Sequence, residues 1–433
     1  MAEIGIAMQT LGCKVNRAEA EAIASELLAT GARIVEPEQA AVVVLTTCTV
    51  TGEADRKARK AVRHALALPL APLVVVTGCL ASIDPLGVAA LGERVIVEPD
   101  KSVVATRVAE ALAQVAPATA FDRPEVAPES VFRTRADVKV EDGCDAFCAY
   151  CIVPYARGVP RAVPLTDVVA RVASLVAAGT AEIVLTGINI GRYRDGEAGL
   201  PELIEAVAST GVQRIRVSSI EPLDVDERFL AVAAATDSFC RHLHIPLQSG
   251  CDATLAAMGR GYDSATYAGI VRAARAALPG LAVTTDVIAG FPGETDEHFE
   301  ATAAFCERIG YVKMHVFRYS ERRGTVAAER TDQVPPGVRS RRAARLRALG
   351  DDMHIRWAAG FEGTRARVLV ERVRPADGTH GCVAEGTTRE HLRVVLSGEG
   401  LCRGDVAEVT LGASDAAGVV AAVRVAVPGN RAW

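Results

Sequence analysis

The first 116 residues alternate continuous apolar runs with segments that have helical periodicity. The runs are IGIAM, AVVVLTT and LVVVTG, and helix-like segments lie between them. Strands that alternate with helices along a chain are typical of βαβ units and a parallel sheet. The pattern therefore predicts an N-terminal α/β domain over residues 1–116.

A second alternation of strands and helices covers residues 134–360. Its six strand-like segments are VKVEDG, AEIVLTG, RIRVSS, HLHIPL, AVTTDVIAG and VKMHVFRYS. Six strand–helix units predict a partial (βα)6 barrel whose chemistry lies at the carboxyl ends of the strands. The stretch before it, APATAFDRPEVAPES, is rich in Pro and Ala and has no periodicity, which predicts a linker at 117–133.

The pattern changes again after residue 361, where helical periodicity is lost. The short segments TRARVLVERV, HLRVVLS, DVAEVTL and GVVAAVRV are separated by Gly and Asp turns. Several short strands with turn residues between them predict a small β-barrel over residues 361–430.

Composition favours a soluble protein with two or three domains, because 433 residues exceed one ordinary core. No apolar run approaches the roughly 18 residues that span a bilayer, and the start MAEIGIAMQ lacks the basic region of a secretory signal. We therefore expect a cytoplasmic protein with no membrane segment. Thiols stay reduced there, so the 11 cysteines are candidates for metal binding or catalysis rather than disulfides.

Charge alone leaves the kind of partner open. The net charge of −5 argues against a nucleic-acid partner, yet residues 308–374 contain 16 Lys and Arg against 7 Asp and Glu. Such a basic segment is either a solvated helix face or a binding patch.

Three cysteines in one short segment carry the strongest chemical signal. Cys144, Cys148 and Cys151 have the spacing C-x3-C-x2-C, directly after a predicted strand. Structural zinc prefers four closed ligands, and no fourth Cys or His lies nearby, so zinc is the less favoured alternative. Three thiolates suit a [4Fe–4S] cluster with one open iron, which can chelate an amine and a carboxylate.

Three further cysteines share one setting in the N-terminal domain. Cys13, Cys48 and Cys79 each stand between a strand and a helix-like segment, 35 and 31 residues apart. A lone cysteine is usually a small buried hydrophobe. Parallel strands, however, end at one edge of their sheet, where ligands bind, so these three thiols are expected to converge. They predict a second iron–sulfur site with an open iron.

The Cys144–Cys151 triplet, with an aromatic residue (Tyr150) before its last cysteine, resembles the signature of the radical S-adenosyl-L-methionine (SAM) superfamily. The resemblance implies that the open iron binds SAM and that reduction of the cluster yields a 5′-deoxyadenosyl radical. Loops after successive strands offer further residues for a SAM pocket. Besides Tyr150, these candidates are Gly187, Asn189, Ser218, Glu221 and Gln248.

The order of the three domains resembles the radical SAM methylthiotransferases. The resemblance implies two [4Fe–4S] clusters, an auxiliary one on Cys13, Cys48 and Cys79 that carries sulfur and a SAM-cleaving one on the other triplet. Lys14 and Asn16 are candidates to support the auxiliary ligands, and no catalytic side chain beyond the six cysteines is expected. The C-terminal barrel is similar to a TRAM domain, an RNA-binding module in that family.

Three short sequence segments indicate a subfamily. TLGCKVNRAEAE, CIVPYARG and HLHIPLQSGCDATLAAMGRGY look most like the enzymes that methylthiolate N6-threonylcarbamoyladenosine in tRNA. The implied partners are tRNA, a sulfur donor and a low-potential electron donor of the flavodoxin or ferredoxin type. Three alternatives stay open: isopentenyladenosine in tRNA as the target, a ribosomal protein as the target, or a non-catalytic iron–sulfur protein that binds RNA.

Overall fold

A computed structural model describes residues 5–114, 134–375, 382–398 and 400–424. The predicted linker at 117–133 lies outside these ranges. In the part of the chain that is described, no helix is both long and apolar enough to cross a membrane.

The N-terminal domain is a five-stranded parallel sheet with helices on both faces, as predicted. Its strands are β1 (Gly5–Thr10), β2 (Arg33–Ile34), β3 (Val42–Thr47), β4 (Leu73–Gly78) and β5 (Val95–Val97), in the order β2-β1-β3-β4-β5. Its helices are α1 (Lys14–Ala29), α2 (Gly52–Leu66), α3 (Cys79–Ile83), α4 (Pro85–Ala89) and α5 (Val104–Gln114). The central strand β3 is buried along its whole length, because helices pack on both of its faces.

The middle domain contains the six predicted strands as two three-stranded parallel sheets, β10-β9-β6 and β11-β12-β13. The Ile220 N–H donates to the His244 carbonyl at 3.0 Å and joins the two sheets, so the partial (βα)6 barrel is confirmed. The strands are β6 (Arg135–Lys139), β7 (Glu141–Asp142), β8 (Arg161–Ala162), β9 (Glu182–Thr186), β10 (Arg214–Val217), β11 (His242–His244), β12 (Ala282–Ala289) and β13 (Lys313–Arg318).

The middle domain has eight helices in the part of the chain that is described. They are α6 (Val153–Arg157), α7 (Leu165–Ala177), α8 (Leu200–Ala208), α9 (Glu227–Ala235), α10 (Asp252–Ala257), α11 (Ser264–Ala277), α12 (Asp296–Ile309) and α13 (Pro336–Ala359). Short 3-10 helices span Pro37–Gln39, Lys101–Val103, Ile190–Arg192, Pro222–Asp224 and Val326–Ala328. Alternate strand residues such as Ile183, Leu185 and Val217 pack under the helices in one apolar core.

The opposite face of the barrel strands is polar. The Arg216 Nε atom donates to Glu182 Oε1 at 2.8 Å, and both side chains are buried. His242 and His244 both hydrogen-bond the Thr284 hydroxyl, at 3.0 and 2.9 Å. The barrel interior is therefore lined by paired charges and hydrogen-bonded groups rather than by aliphatic side chains.

The C-terminal domain is a closed five-stranded barrel with the order β14-β15-β16-β18-β17, which confirms the predicted β-barrel. Its strands are β14 (Arg365–Pro375), β15 (Cys382–Thr387), β16 (Arg393–Gly398), β17 (Val406–Ser414) and β18 (Val420–Arg424). It docks where the strands of the middle domain begin: Arg214, the first residue of β10, donates to the carbonyls of Thr387 and Arg367. The His391 ring stacks on His242, the first residue of β11, with 4.5 Å between centroids.

The N-terminal domain lies across the opening of the partial barrel. On the β6 edge, Arg17 of α1 pairs with Asp137 at 2.7 Å. On the β13 edge, Asp55 of α2 pairs with Arg322 at 2.7 Å, and the Gly52 N–H donates to the Ser320 hydroxyl at 3.0 Å. Contacts at both edges place the carboxyl ends of the N-terminal strands next to the loops of the barrel.

Candidate functional site

The three N-terminal cysteines lie at the carboxyl edge of neighbouring strands. Cys13 follows β1 and precedes α1, Cys48 follows β3, and Cys79 follows β4 as the first residue of α3. Burial is the main reason that the pKa of the Cys48 thiol rises to about 11, and the nearby Cys79 and Cys13 thiols raise it further. The structure therefore brings these three thiols together.

Gly12 allows the Cys13 loop to lie directly against Cys48. Its φ of +129° belongs to the region that favours glycine, and a Cβ added there would lie 2.7 Å from the Cys48 Cβ. The pair Gly12-Cys13 is thus a local requirement of this site.

The second triplet occupies the loop between β7 and α6. The Cys144 N–H donates to the Gly158 carbonyl at 2.9 Å, and the Cys151 N–H donates to the Cys148 carbonyl at 2.8 Å. Burial raises the pKa of the Cys151 thiol to about 12, with smaller increases from Cys148 and Cys144. These three thiols also converge, on a loop folded back on itself.

The donor set fits iron–sulfur clusters better than single ions. Within the described ranges, no three His, Cys, Asp or Glu side chains lie close enough to share one metal ion. Thiolates around one zinc ion lie within roughly 4 Å of one another, because each Zn–S bond is about 2.3 Å long. A four-iron cluster takes one thiolate per iron and spaces its ligands more widely. Each triplet supplies three thiols, which is the ligand number of a four-iron cluster with one open iron rather than that of a closed structural zinc site.

Glu141 and Asn189 present unpaired acceptors beside the second triplet. Glu141 Oε2 accepts the backbone N–H groups of Ile188 and Asn189, both at 2.9 Å. Glu141 Oε1 and Asn189 Oδ1 are buried and have no hydrogen-bond partner. Buried acceptors without donors are costly, so a ligand that brings N–H groups fits here. An amino group such as that of SAM meets this requirement.

Sequence reasoning missed Glu141, although it lies in the quoted segment VKVEDG. Its side chain is fully buried, and burial raises its pKa to about 7. A carboxylate at the end of a barrel strand, three residues before the first cysteine of the triplet, was the available signal.

The other predicted pocket residues follow successive strands. The Gly187 N–H donates to the Ser218 hydroxyl at 3.3 Å, which joins the loops after β9 and β10. Gln248, after β11, has a φ of +67°. This left-handed conformation is uncommon for a residue with a side chain, and such residues concentrate at functional positions.

Glu221 and Tyr150 lie close to the triplet as well. Arg260, which sequence reasoning missed, donates to Glu221 Oε2 and also to Cys148 Sγ at 3.2 Å. Burial raises the pKa of Glu221, and Arg260 partly offsets this. Tyr150 packs against the apolar cluster that contains Phe291 and Tyr319. Arg260 therefore pairs with one oxygen of the Glu221 carboxylate and contacts a cysteine of the triplet with the same guanidinium.

Asn16 supports the Cys13 loop, whereas Lys14 is the half-buried neighbour of Cys13 at the start of α1. Asn16 Nδ2 donates to the carbonyls of Leu11 and Thr47 at 3.1 and 2.8 Å, so it ties the ends of β1 and β3 together. The Cys13 thiol lies 3.6 Å from Asn16 Oδ1. Burial lowers the pKa of Lys14 to about 8, and the Asp137 carboxylate opposes that shift.

Arg157, also missed by sequence reasoning, spans the two triplets. It is the last residue of α6, which begins two residues after Cys151. Its guanidinium donates to Cys79 Sγ at 3.2 Å and to Asn16 Oδ1 at 2.5 Å. One side chain of the middle domain therefore contacts the loops that carry Cys79 and Cys13 in the N-terminal domain.

Comparison with known families agrees with this geometry. Residues 138–306 match the model of the radical SAM superfamily, and residues 5–97 match an uncharacterized protein family, UPF0004. The threonylcarbamoyladenosine tRNA methylthiotransferase of Bacillus subtilis is 35% identical over 409 residues, which cover 91% of this chain and 90% of the relative. The chain belongs to the radical SAM methylthiotransferase family.

Two further similarities place this methylthiotransferase among its relatives. The tRNA-2-methylthio-N(6)-dimethylallyladenosine synthase of Geobacter sulfurreducens is 36% identical, over 84% of this chain and 86% of that protein. The radical S-adenosylmethionine methyltransferase TsrM of Kitasatospora setae, solved with cobalamin and a [4Fe–4S] cluster, has a TM-score of 0.55 at 14% identity. That match covers 76% of this chain and 74% of TsrM and shows a shared fold.

The raised pKa of Glu141 predicts that the stability of this methylthiotransferase falls as pH rises. Between 4.5, its ordinary value, and about 7, the native state holds a proton that the unfolded state has lost. The resulting loss of stability is about 3 kcal/mol above pH 7. We expect Glu141→Gln to remove it, so that the variant gains thermal stability over the parent at pH 8 and little at pH 5. Calorimetry at both values measures this.

Glu205→Gln is the matched control, because Glu205 is exposed on α8. Glu205→Gln should leave the unfolding temperature unchanged at both pH 5 and pH 8. Equal stability of Glu141→Gln and the parent at pH 8 would contradict the prediction, because it would show that burial does not raise the pKa of Glu141 in the native protein.

Proposed function

We propose that this enzyme transfers a methylthio group to C2 of N6-threonylcarbamoyladenosine next to the anticodon of tRNA, giving 2-methylthio-N6-threonylcarbamoyladenosine. The observation that carries the proposal is the meeting of two cysteine triplets across one domain boundary, with Arg157 in contact with the Cys79 side. A sulfur-bearing site and a SAM-cleaving site must both reach one substrate atom, and this arrangement suits that requirement. The relatives that act on this nucleoside support the choice of target.

The proposed roles follow the two triplets. The SAM-cleaving [4Fe–4S] cluster would be held by Cys144, Cys148 and Cys151, and the auxiliary one by Cys13, Cys48 and Cys79. When bound, the clusters and SAM would supply the radical chemistry and the sulfur. The loops after β9 and β10 would bind SAM: Asn189 and Glu141 through its amino group, and Gly187 and Ser218 by holding the loops together. Gln248 and Tyr150 would complete the pocket.

The protein's own contribution is positioning and the exclusion of water. The N-terminal domain covers the opening of the barrel and places its cysteine edge over the loops that follow the barrel strands. The reaction also needs a low-potential electron donor of the flavodoxin or ferredoxin type and a sulfur donor, and we place it in the cytoplasm.

The second candidate keeps the chemistry and changes the target to an N6-isopentenyl-type adenosine of tRNA. The relative in Geobacter sulfurreducens that favours it is 36% identical, against 35% for the Bacillus subtilis relative, so identity does not separate the two.

An assay on purified tRNA distinguishes the targets. We expect methylthiolation of tRNA that carries threonylcarbamoyladenosine, and none of tRNA from cells that lack the threonylcarbamoyl group or of tRNA that carries only isopentenyladenosine. Nucleoside mass spectrometry detects the product. A product from isopentenyladenosine tRNA alone would reverse the assignment, and no 5′-deoxyadenosine under anaerobic reduction would overturn the enzymatic proposal.

Iron content tests the second cluster. After anaerobic reconstitution we expect about eight iron atoms per chain from two four-iron clusters. Cys13→Ala should lose about half of the iron and all methylthiolation, yet still cleave SAM, because the other triplet is intact. Cys402→Ala is the control: Cys402 and Cys13 are both exposed cysteines, and Cys402 lies in the C-terminal barrel. Full iron in Cys13→Ala would contradict the auxiliary site.

A groove of about 590 Å3 beside both triplets suits the phosphates of the RNA. This α2–β13 groove is lined by, among others, Thr51, Arg56, Phe317, Arg318, Tyr319 and Arg347. Thr51 lies three residues after Cys48, and Tyr319 packs in the same apolar cluster as Tyr150. Arg56, Arg318 and Arg347 are exposed and form no ion pair with the described carboxylates. Unpaired arginines in a groove attract phosphates, and the exposed Phe317 ring offers a face for stacking.

Replacing two of these arginines should lower the affinity for tRNA and make that affinity less dependent on salt concentration. For Arg56→Ala with Arg347→Ala, we expect the slope of log affinity against log salt to fall by about 1.4–1.8 in magnitude, since each phosphate contact contributes about 0.7–0.9. Filter binding over a range of salt concentrations measures it. Arg171→Ala with Arg272→Ala, which removes two exposed arginines of α7 and α11, should leave the slope unchanged. An unaltered slope in the first variant would exclude the groove while leaving the target assignment standing.

A further inference from the structure

We propose that Arg157 is a positioning residue that sets the reduction potential of the auxiliary cluster and fixes that cluster relative to the SAM-cleaving loop. The inference rests on the second cluster of the proposed function. Arg157 belongs to the middle domain, yet its Nε atom donates to Sγ of Cys79 in the N-terminal domain. A cysteine proposed as a cluster ligand thus receives a charged hydrogen-bond donor from the domain that would hold the other cluster.

Every N–H group of Arg157 has an acceptor. Nε donates to Cys79 Sγ at 3.2 Å, and Nη1 donates to Glu19 Oε1 and Asp142 Oδ1 at 3.0 and 2.7 Å. Nη2 donates to Asn16 Oδ1 at 2.5 Å and to Glu19 Oε2 at 3.3 Å. The guanidinium is a rigid fork with five donors, and its side chain is 1% exposed here. It therefore has one orientation, and Nε is directed at the sulfur.

Charge near Cys79 is positive despite the two carboxylates. Lys139 Nζ lies 2.7 Å from both Glu19 and Asp142, and Lys101 Nζ lies 3.5 Å from Glu19. Together with Arg157, three cations face two carboxylates in this buried cluster. Reduction of an iron–sulfur cluster adds one negative charge, which nearby cations and N–H···S bonds stabilise. Arg157 should therefore make the auxiliary cluster easier to reduce.

The same contacts couple the two loops mechanically. Asp142, which accepts from Arg157, is two residues before Cys144, and Arg157 itself is six residues after Cys151. Asn16, its other acceptor, is three residues after Cys13 and also anchors the end of β3 just before Cys48. All three auxiliary cysteines thus contact Arg157 or lie next to a residue that it hydrogen-bonds. Arg157 itself follows the loop that would hold the SAM-cleaving cluster.

A redox titration of the auxiliary cluster alone tests the electrostatic part. The parent for this measurement is the full chain with Cys144→Ala, Cys148→Ala and Cys151→Ala, which leaves one cluster to titrate by electron paramagnetic resonance. We expect Arg157→Gln to shift the midpoint potential to a more negative value and to change the spectrum. Arg157→Lys, which keeps the charge and loses the fork, should shift it less. Arg171→Gln, on the exposed face of α7, should not shift it.

The double variant Arg157→Gln with Glu19→Gln covers the case in which the single variant does not fold, because it removes one buried charge of each sign. A native circular-dichroism spectrum with loss of the auxiliary iron alone, in the otherwise unaltered chain, would also support the positioning role. Full auxiliary iron with an unchanged potential in the Gln and Lys variants would overturn the inference. If the unaltered chain holds only four iron atoms, the second cluster of the proposed function fails instead, so the two failures are distinct.

Discussion

A buried network of charges holds the N-terminal and middle domains in one relative orientation. Its cations are Arg157, Lys139 and Lys101. They pair with the carboxylates of Glu19 and Asp142, which are both buried. Breaking a buried ion pair costs about 3–5 kcal/mol, because it leaves an uncompensated charge out of water. Apolar surfaces tolerate sliding, whereas these partners match in only one arrangement. The two reaction centres proposed above lie on separate domains and would require such a fixed geometry.

Much of the N-terminal fold follows from the sequence because its central strands β3 and β4 are buried apolar runs. β1, β3 and β4 are continuous apolar runs, and parallel pairing then forces the residues after them, Cys13, Cys48 and Cys79, to one edge. The edge strands β2 and β5 have two and three residues, too few to show a period. β15, with the sequence CVAEGT, has only two β-branched residues, Val383 and Thr387, and the Ala, Glu and Gly between them are depleted in strands, so it is missing from the predicted set.

The cysteines of the candidate site could be predicted from the sequence, but most of the groups that contact them could not. Arg157 and Arg260 each contact a cysteine sulfur, but in a chain with 42 arginines no single one stands out. The basic segment 308–374 shows the same problem. Arg342 of α13 is buried and paired with Glu294 at 2.7 Å, while Arg347 of the same helix is exposed in a groove. Neither a wholly solvated face nor a uniform binding patch describes this helix, and only tertiary contacts separate the two kinds of arginine.

The middle domain separates the C-terminal barrel from the cysteine loops. That barrel contacts Arg214 and His242, where the strands begin, whereas the cysteine loops lie at the end where the strands finish. A strand rises about 3.3 Å per residue, so the four residues of β10 separate Arg214 from the loop after that strand by roughly 13 Å. An RNA that contacted both the C-terminal barrel and the cysteine loops would have to span this distance. The enzyme would then select a nucleotide by its distance from a second landmark on the folded RNA, as a ruler does, in addition to reading the base itself.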